Sequence, residues 1–201
     1  MGYSAACKLK YEGKAYAGPA LLETDYLEFK GELRLKIPFK SITAAALARE
    51  ALQVKFDGRA AWFDLGAQSA KWLQKILHPK SLLDKLGVKP EHRVCVLKID
   101  EVNFSADLEK RVGKFSTRLV TACDVIFLGA EKESDLAALG RCKAALKKDG
   151  AIWIVNPKGQ KSFNENQVLA AGKKAGLVDV KVVKFSETHT AHRFVIPKAQ
   201  R

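Results

Sequence analysis

The stretch Leu86–Asp100, LGVKPEHRVCVLKID, decides how the second half of the chain is read. A polar lead-in, KPEHR, feeds the apolar run Val94–Leu97, which suits a short buried strand. An α/β sheet that binds a ligand beside its first strand follows that strand with a glycine-rich turn, where backbone can approach the ligand and a helix can start. Here KIDEVNF follows, and no glycine occurs between Gly87 and Gly113. The strand is expected; the binding chemistry of its turn is expected to be missing.

Downstream, the strand-like runs RVCVLKI, CDVIFLGA, AIWIVNP and VDVKVVKF alternate with the helical stretches SADLEKRV, SDLAALGRCKAALKK and NENQVLAAGKKAG. That order predicts a doubly wound, mostly parallel sheet. VDVKVVKF and HRFVIPK, separated by a short polar turn, should close it as an antiparallel hairpin at the edge. VGKFSTRLV, Val112–Val120, could form one more strand, but it ends without the acid that holds ribose hydroxyls in dinucleotide folds. About one strand and one helix are therefore missing between Ile99 and Asp124, and Asp100 and Glu101 read as solvated loop acids.

Upstream the period is two. In YLEFKGELRLKIPF, Leu27, Phe29, Leu33, Leu35, Ile37 and Phe39 are apolar and the residues between them largely charged, with Gly31 at a turn and Pro38 at an edge or bulge. Asp57-Gly58 between two alternating runs is a hairpin signal. After Gly66 the period changes: Ala70, Leu73, Ile76 and Leu77 form one stripe of a short helix, with Trp72 at its margin as a core plug. HPKSLLDKLG makes a connector with a helical turn stopped by Gly87. The expected organisation is a bent antiparallel domain over 1–79 and an α/β domain over 80–201.

The chain carries 35 Lys and Arg against 22 Asp and Glu, a net charge of +13, and both halves are basic. Acidic macromolecules are attracted at long range, and any nucleic-acid binding is expected to be weak and non-specific, since no RNA-binding or zinc-finger signature occurs. No apolar run approaches membrane-spanning length, and the start MGYSAACKLK is neither a secretory signal nor, with Ala6 where a hydroxyl is wanted, a myristoylation site. Cys7, Cys95, Cys123 and Cys142 show no CxxC spacing and read as reduced thiols of a cytoplasmic protein.

The phrases LGVKP, VCVL, CDVIFLGA, CKAALKKDGAIWIVNPKG, AGLVDVKVVKFSET and HRFVIPK, in this order over Leu82–Lys198, resemble the bacterial family called domain of unknown function 3052. LKKDG before an apolar strand and AGLVDVKV after a helix are also similar to the C-terminal half of S-adenosylmethionine-dependent methyltransferases. The resemblance implies a Rossmann-like, methyltransferase-related fold and conveys no activity. The first half resembles the pleckstrin-homology (PH) superfold in element order alone.

If the forward strands end at one edge, Asn156, Lys158, His189, His192 and Arg193 should gather there as a rim for a small anion. NPKG bends to present the Lys158 amine. Glu187, His189 and His192, within one turn, make a poor preformed metal site, and none is expected. Gly-x-Ser-x-Gly, Walker and HExxH motifs are missing. The expectation is a non-catalytic binding or scaffold protein on a degenerate methyltransferase-like domain, without cofactor, with a methyltransferase-like enzyme of unusual cofactor site and a basic nucleic-acid-associated protein as alternatives.

Overall fold

Alternation of apolar and polar residues builds seven strands in the first half of the computed structural model, which describes residues 2–201: β1 Tyr3–Tyr11, β2 Lys14–Leu22, β3 Tyr26–Lys30, β4 Arg34–Pro38, β5 Ile42–Ala48, β6 Ala51–Phe56 and β7 Arg59–Asp64. They pair antiparallel in the order β4-β3-β2-β1-β7-β6-β5. Leu9, Leu27, Phe29, Ile37, Leu52, Val54 and Phe63 point inward and are fully buried. Asp57 and Gly58 both take the left-handed conformation, φ 45° and 73°, that a two-residue hairpin with the right strand twist requires. Strands β1, β2 and β5 escaped the sequence reading because their small residues, Ala and Gly, weaken the apolar–polar contrast on which alternation depends.

Helix α1, Ser69–Leu77, closes this sheet. Its buried face is Ser69, Trp72, Leu73 and Ile76, whereas Ala70 and Leu77 are exposed. This corrects the expected stripe by one residue: Trp72 is the centre of the face, and its indole nitrogen donates to Gln68 Oε1 at 3.2 Å. The largest side chain sets the helix rotation, because only its burial removes an aromatic-sized area from water.

The chain divides by internal contacts into Met1–Lys80 and Ser81–Arg201. The second unit opens with α2, Leu82–Leu86, started by a Ser81–Asp84 capping box and ended at Gly87 with φ 72°. There follow β8 Val94–Leu97, α3 Val102–Val112, β9 Cys123–Gly129, α4 Leu139–Ala145, β10 Leu146–Pro157, α5 Glu165–Lys174, β11 Val178–Lys184 and β12 His189–Val195. The sheet order is β11-β12-β10-β9-β8. β8, β9 and β10 are parallel, while β12 runs antiparallel between β10 and β11. The expected mostly parallel sheet is thus half parallel in its pairings, because the final strand turns back into the sheet between β10 and β11.

Both faces of this sheet are covered. Ile126, Ile152, Ile154 and Phe194 share one buried cluster with Cys142 of α4 and Val168 of α5. Phe127, Trp153 and Val155 share the other with Leu86 of α2 and Phe104 and Leu108 of α3. The unit is α/β. Residues 113–122 contribute no named strand, only a parallel bridge from Ser116 to Cys95, so the chain passes from α3 to β9 without a full extra strand and helix. No helix is long and apolar enough to cross a membrane.

Candidate functional site

The turn after β8 is bent against the end of β9. Lys98 has φ 56°, a left-handed conformation that costs a residue with a side chain about 1 kcal/mol or more. Its carbonyl oxygen lies where a Cβ on Gly129 would stand, so only glycine allows this approach. Lys98 Nζ donates to Asp135 Oδ1 at 2.6 Å, and the other Asp135 oxygen accepts from the backbone of Glu131 and Lys132 at 3.0 and 3.2 Å. The hydrogen bond from Lys98, with those backbone donors, holds the Asp135 carboxyl below its ordinary range against the opposing effect of burial.

Beneath this turn, Phe104 of α3 packs edge-on against Phe127 at 5.0 Å between ring centres and tilted against Phe185 at 4.8 Å. Asp100 is exposed, and the carbonyl of Glu101 accepts the first helical bond of α3 from Ser105. A dinucleotide or methyl donor held by a glycine turn needs backbone open to it after the first strand. The residues here do not fit that mode: Lys98 and Gly129 fill each other's approach.

The carboxyl edge of β9 and β10 gathers only part of the expected rim. Lys158 Nζ donates to the carbonyls of Ser186 and Glu187 at 2.6 and 3.4 Å, fastening the NPKG loop to the turn between β11 and β12. His189, opposite Pro157 in register, stands at the same edge. Asn156, next to last in β10, donates from its amide nitrogen to the Pro157 carbonyl at 3.1 Å; its buried Oδ1 has no hydrogen-bond partner.

His192 and Arg193 do not join them. His192 lies three residues into β12, almost fully buried, with Nδ1 making no hydrogen bond and standing 3.7 Å from Glu165 Oε1. Burial pushes its pKa down against the opposing charges of Glu165 and Asp179. Arg193 sits opposite Trp153, and reaches a cavity of about 80 Å³ lined by Leu86, Gly87, Asp124, Gly150 and Ala151 at the amino ends of the parallel strands. Four residues of strand, ~13 Å, separate it from His189. Alternation of side chains along β12 turns neighbours to opposite faces, which a linear reading of HTAHR could not resolve.

One arrangement at the edge was not foreseen. Glu131, two residues past β9, meets His189 with Oε1 3.0 Å from Nε2, while His189 Nδ1 lies 2.9 Å from Thr188 Oγ1. Thr188 Oγ1 is in turn 3.3 Å from Ser186 Oγ. The result is a carboxylate–imidazole–hydroxyl chain joining the end of β9 to the start of β12. Its one sequence signal was an acid immediately after a strand that ends at the ligand-binding edge. Among the described residues, no group of three or more His, Cys, Asp or Glu could hold a metal ion.

No family model matches the chain, and no curated protein matches it in sequence. Solved structures are similar to it at low identity. A SAM-dependent methyltransferase from Aquifex aeolicus is 15% identical over 58% of this chain and 88% of its own, with a TM-score of 0.48. The magnesium protoporphyrin IX methyltransferase of Synechocystis PCC 6803, with bound SAM, is 14% identical over 57% and 74%, with a TM-score of 0.42. The fibrillarin pre-rRNA processing protein of Methanococcus jannaschii is 10% identical over 86% and 94%, with a TM-score of 0.39. These likenesses correct two expectations, the non-catalytic scaffold and the absence of a cofactor: the neighbours include SAM-dependent methyltransferases, one with SAM bound. At these identities and scores the likeness conveys no activity, which has to be argued from the residues.

Proposed function

We propose that the second unit is a Rossmann-like, methyltransferase-like enzyme with an unusual cofactor site, working at the carboxyl edge of β9 and β10. The observation that carries this reading is the chain from Glu131 through His189 to Thr188. A carboxylate on Nε2 favours the tautomer with hydrogen on that nitrogen and leaves Nδ1 as a base. An acceptor hydroxyl or amine bound at the edge passes its proton to Thr188 Oγ1 as Thr188 passes its own to Nδ1. Glu131 stabilises the imidazolium that forms, and the acceptor is left as a nucleophile. Lys158 fixes the turn that carries Thr188 and His189 by holding the Ser186 and Glu187 carbonyls.

The same reading takes the first unit as a relative of the PH superfold over 1–79, on its seven antiparallel strands and closing helix. It places the protein in the cytoplasm, where four free, buried thiols are stable. The resemblance of Leu82–Lys198 to domain of unknown function 3052 belongs to this reading as well.

The test incubates the full chain with methyl-labelled S-adenosylmethionine and separated small-molecule, RNA and protein fractions of a bacterial extract, with calorimetry of the same compound. Label should enter one fraction, and His189→Ala should reduce transfer by ~10²-fold or more, the scale of a lost general base. Glu131→Gln should lower the rate and leave the affinity for S-adenosylmethionine unchanged. No transfer to any fraction, together with no heat of binding at millimolar concentration, would overturn the proposal.

A further inference from the structure

We infer that the solvent face of the first unit's sheet is a stacking platform for single-stranded nucleic acid. The argument begins at Trp62. Its neighbours in β7, Ala61 and Phe63, are fully buried, so alternation turns Trp62 to the opposite, outward face, where it is partly buried and keeps some exposed surface. The other two tryptophans, Trp72 and Trp153, are completely buried. A large aromatic on the wet face of a sheet is not required by the core beneath it.

Register surrounds this ring with cations. Lys10 lies directly opposite Trp62 on β1, and Gln53 directly opposite on β6. Lys8 and Lys55 occupy the diagonal positions, Lys8 paired with Asp64 and Lys55 with Ala60. Lys8, Lys10 and Lys55 are exposed, and among the described residues none is in an ion pair. Lys8 and Lys10 are ~7 Å apart along one strand face. Farther across the same face, Lys36 lies over the ring of Tyr26 at 3.9 Å, beside Lys30 and Arg34. Two acids share the face: Glu28, held by Lys30 at 3.5 Å, and Asp64, which accepts from the Gly66 backbone at 3.2 Å.

Two residues along β7 from Trp62, at Asp64, the surface becomes hollow. An open groove of about 820 Å³ runs over β1 and β2, floored by Ala6, Ala17 and Pro19 and bordered by Lys8 and Asp64. Small residues on the floor let a chain lie close to the sheet, the lysines meet phosphates, and Trp62 offers its ring to a base. A duplex keeps its bases stacked inside, so an aromatic platform selects single strands. The net charge of +13 adds long-range attraction.

This site lies in the first unit and does not rest on the proposed enzyme. The full chain is titrated with fluorescein-labelled 12-nucleotide dT and U oligomers, read by anisotropy and by quenching of tryptophan emission, at 50 and 200 mM salt. Quenching should be strong, since Trp62 is the one tryptophan within reach. Trp62→Ala should weaken binding ~5- to 100-fold and Trp62→Phe much less, which separates lost stacking from lost fold. The triple variant Lys8→Ala, Lys10→Ala, Lys55→Ala should lower the salt slope by ~2. Equal affinity for duplex and single strand, indifference to Trp62→Ala, or binding to anionic phospholipid vesicles but not to the oligomers would overturn the inference.

Discussion

The carbonyl oxygen of Lys98 occupies the place that a side chain on residue 129 would take. The end of β9 and the left-handed turn after β8 are thereby locked together, and Asp135 ties the same two segments through Lys98 Nζ and two backbone donors. Gly129→Ala must push this turn away from β9. Overpacking of this kind costs about 1–3 kcal/mol, and denaturant unfolding should show it as a lower midpoint with an unchanged slope.

Asp135 should make stability acid-sensitive. Its folded pKa is lowered, first by the hydrogen bond from Lys98, so the unfolded chain takes up the proton more readily. The sign follows: the contribution is complete above the unfolded carboxyl value near 3.8 and is lost as pH falls through the folded value. Asp135→Asn should destabilise clearly at pH 7 and progressively less as pH falls below 3.8. Equal losses above and below that value would show that the charge does not matter.

His192 should act in a higher window. Burial lowers its pKa from 6.5, with Glu165 and Asp179 opposing less effectively. Stability is therefore complete above pH 6.5 and declines below it as the unfolded state binds the proton first. Urea melts between pH 7.5 and 5 should show this decline, and His192→Gln should flatten it.

Three thiols should be unreactive in the folded protein. Burial pushes Cys7 and Cys123 up to about 12 and Cys142 up to about 11, and only the thiolate attacks. Iodoacetamide at pH 7.5 should modify them at the rate of unfolding, and fast labelling without denaturant would contradict this. Cys123, whose sulfur lies 2.7 Å from that of Cys95, is the most informative to map by mass spectrometry.

The sequence by itself determined the elements whose signals are local. The Asp57-Gly58 hairpin, the Gly87 helix stop, the strands at Val94, Cys123 and Val178 and the missing glycine after β8 all rest on periodicity or on the φ preference of one residue. The return of β12 also follows from sequence, since a short polar turn between two apolar runs leaves a hairpin as the natural connection. Tertiary structure alone decided where β12 inserts, because sheet order depends on long-range pairing that no local signal encodes. It likewise decided the site. His189, His192 and Arg193 lie within five residues, yet the rise along β12 leaves His189 at the edge and carries Arg193 toward the opposite end of the sheet, pleating turns His192 to the other face and into the core, and Glu131, 58 residues from His189, arrives within 3.0 Å.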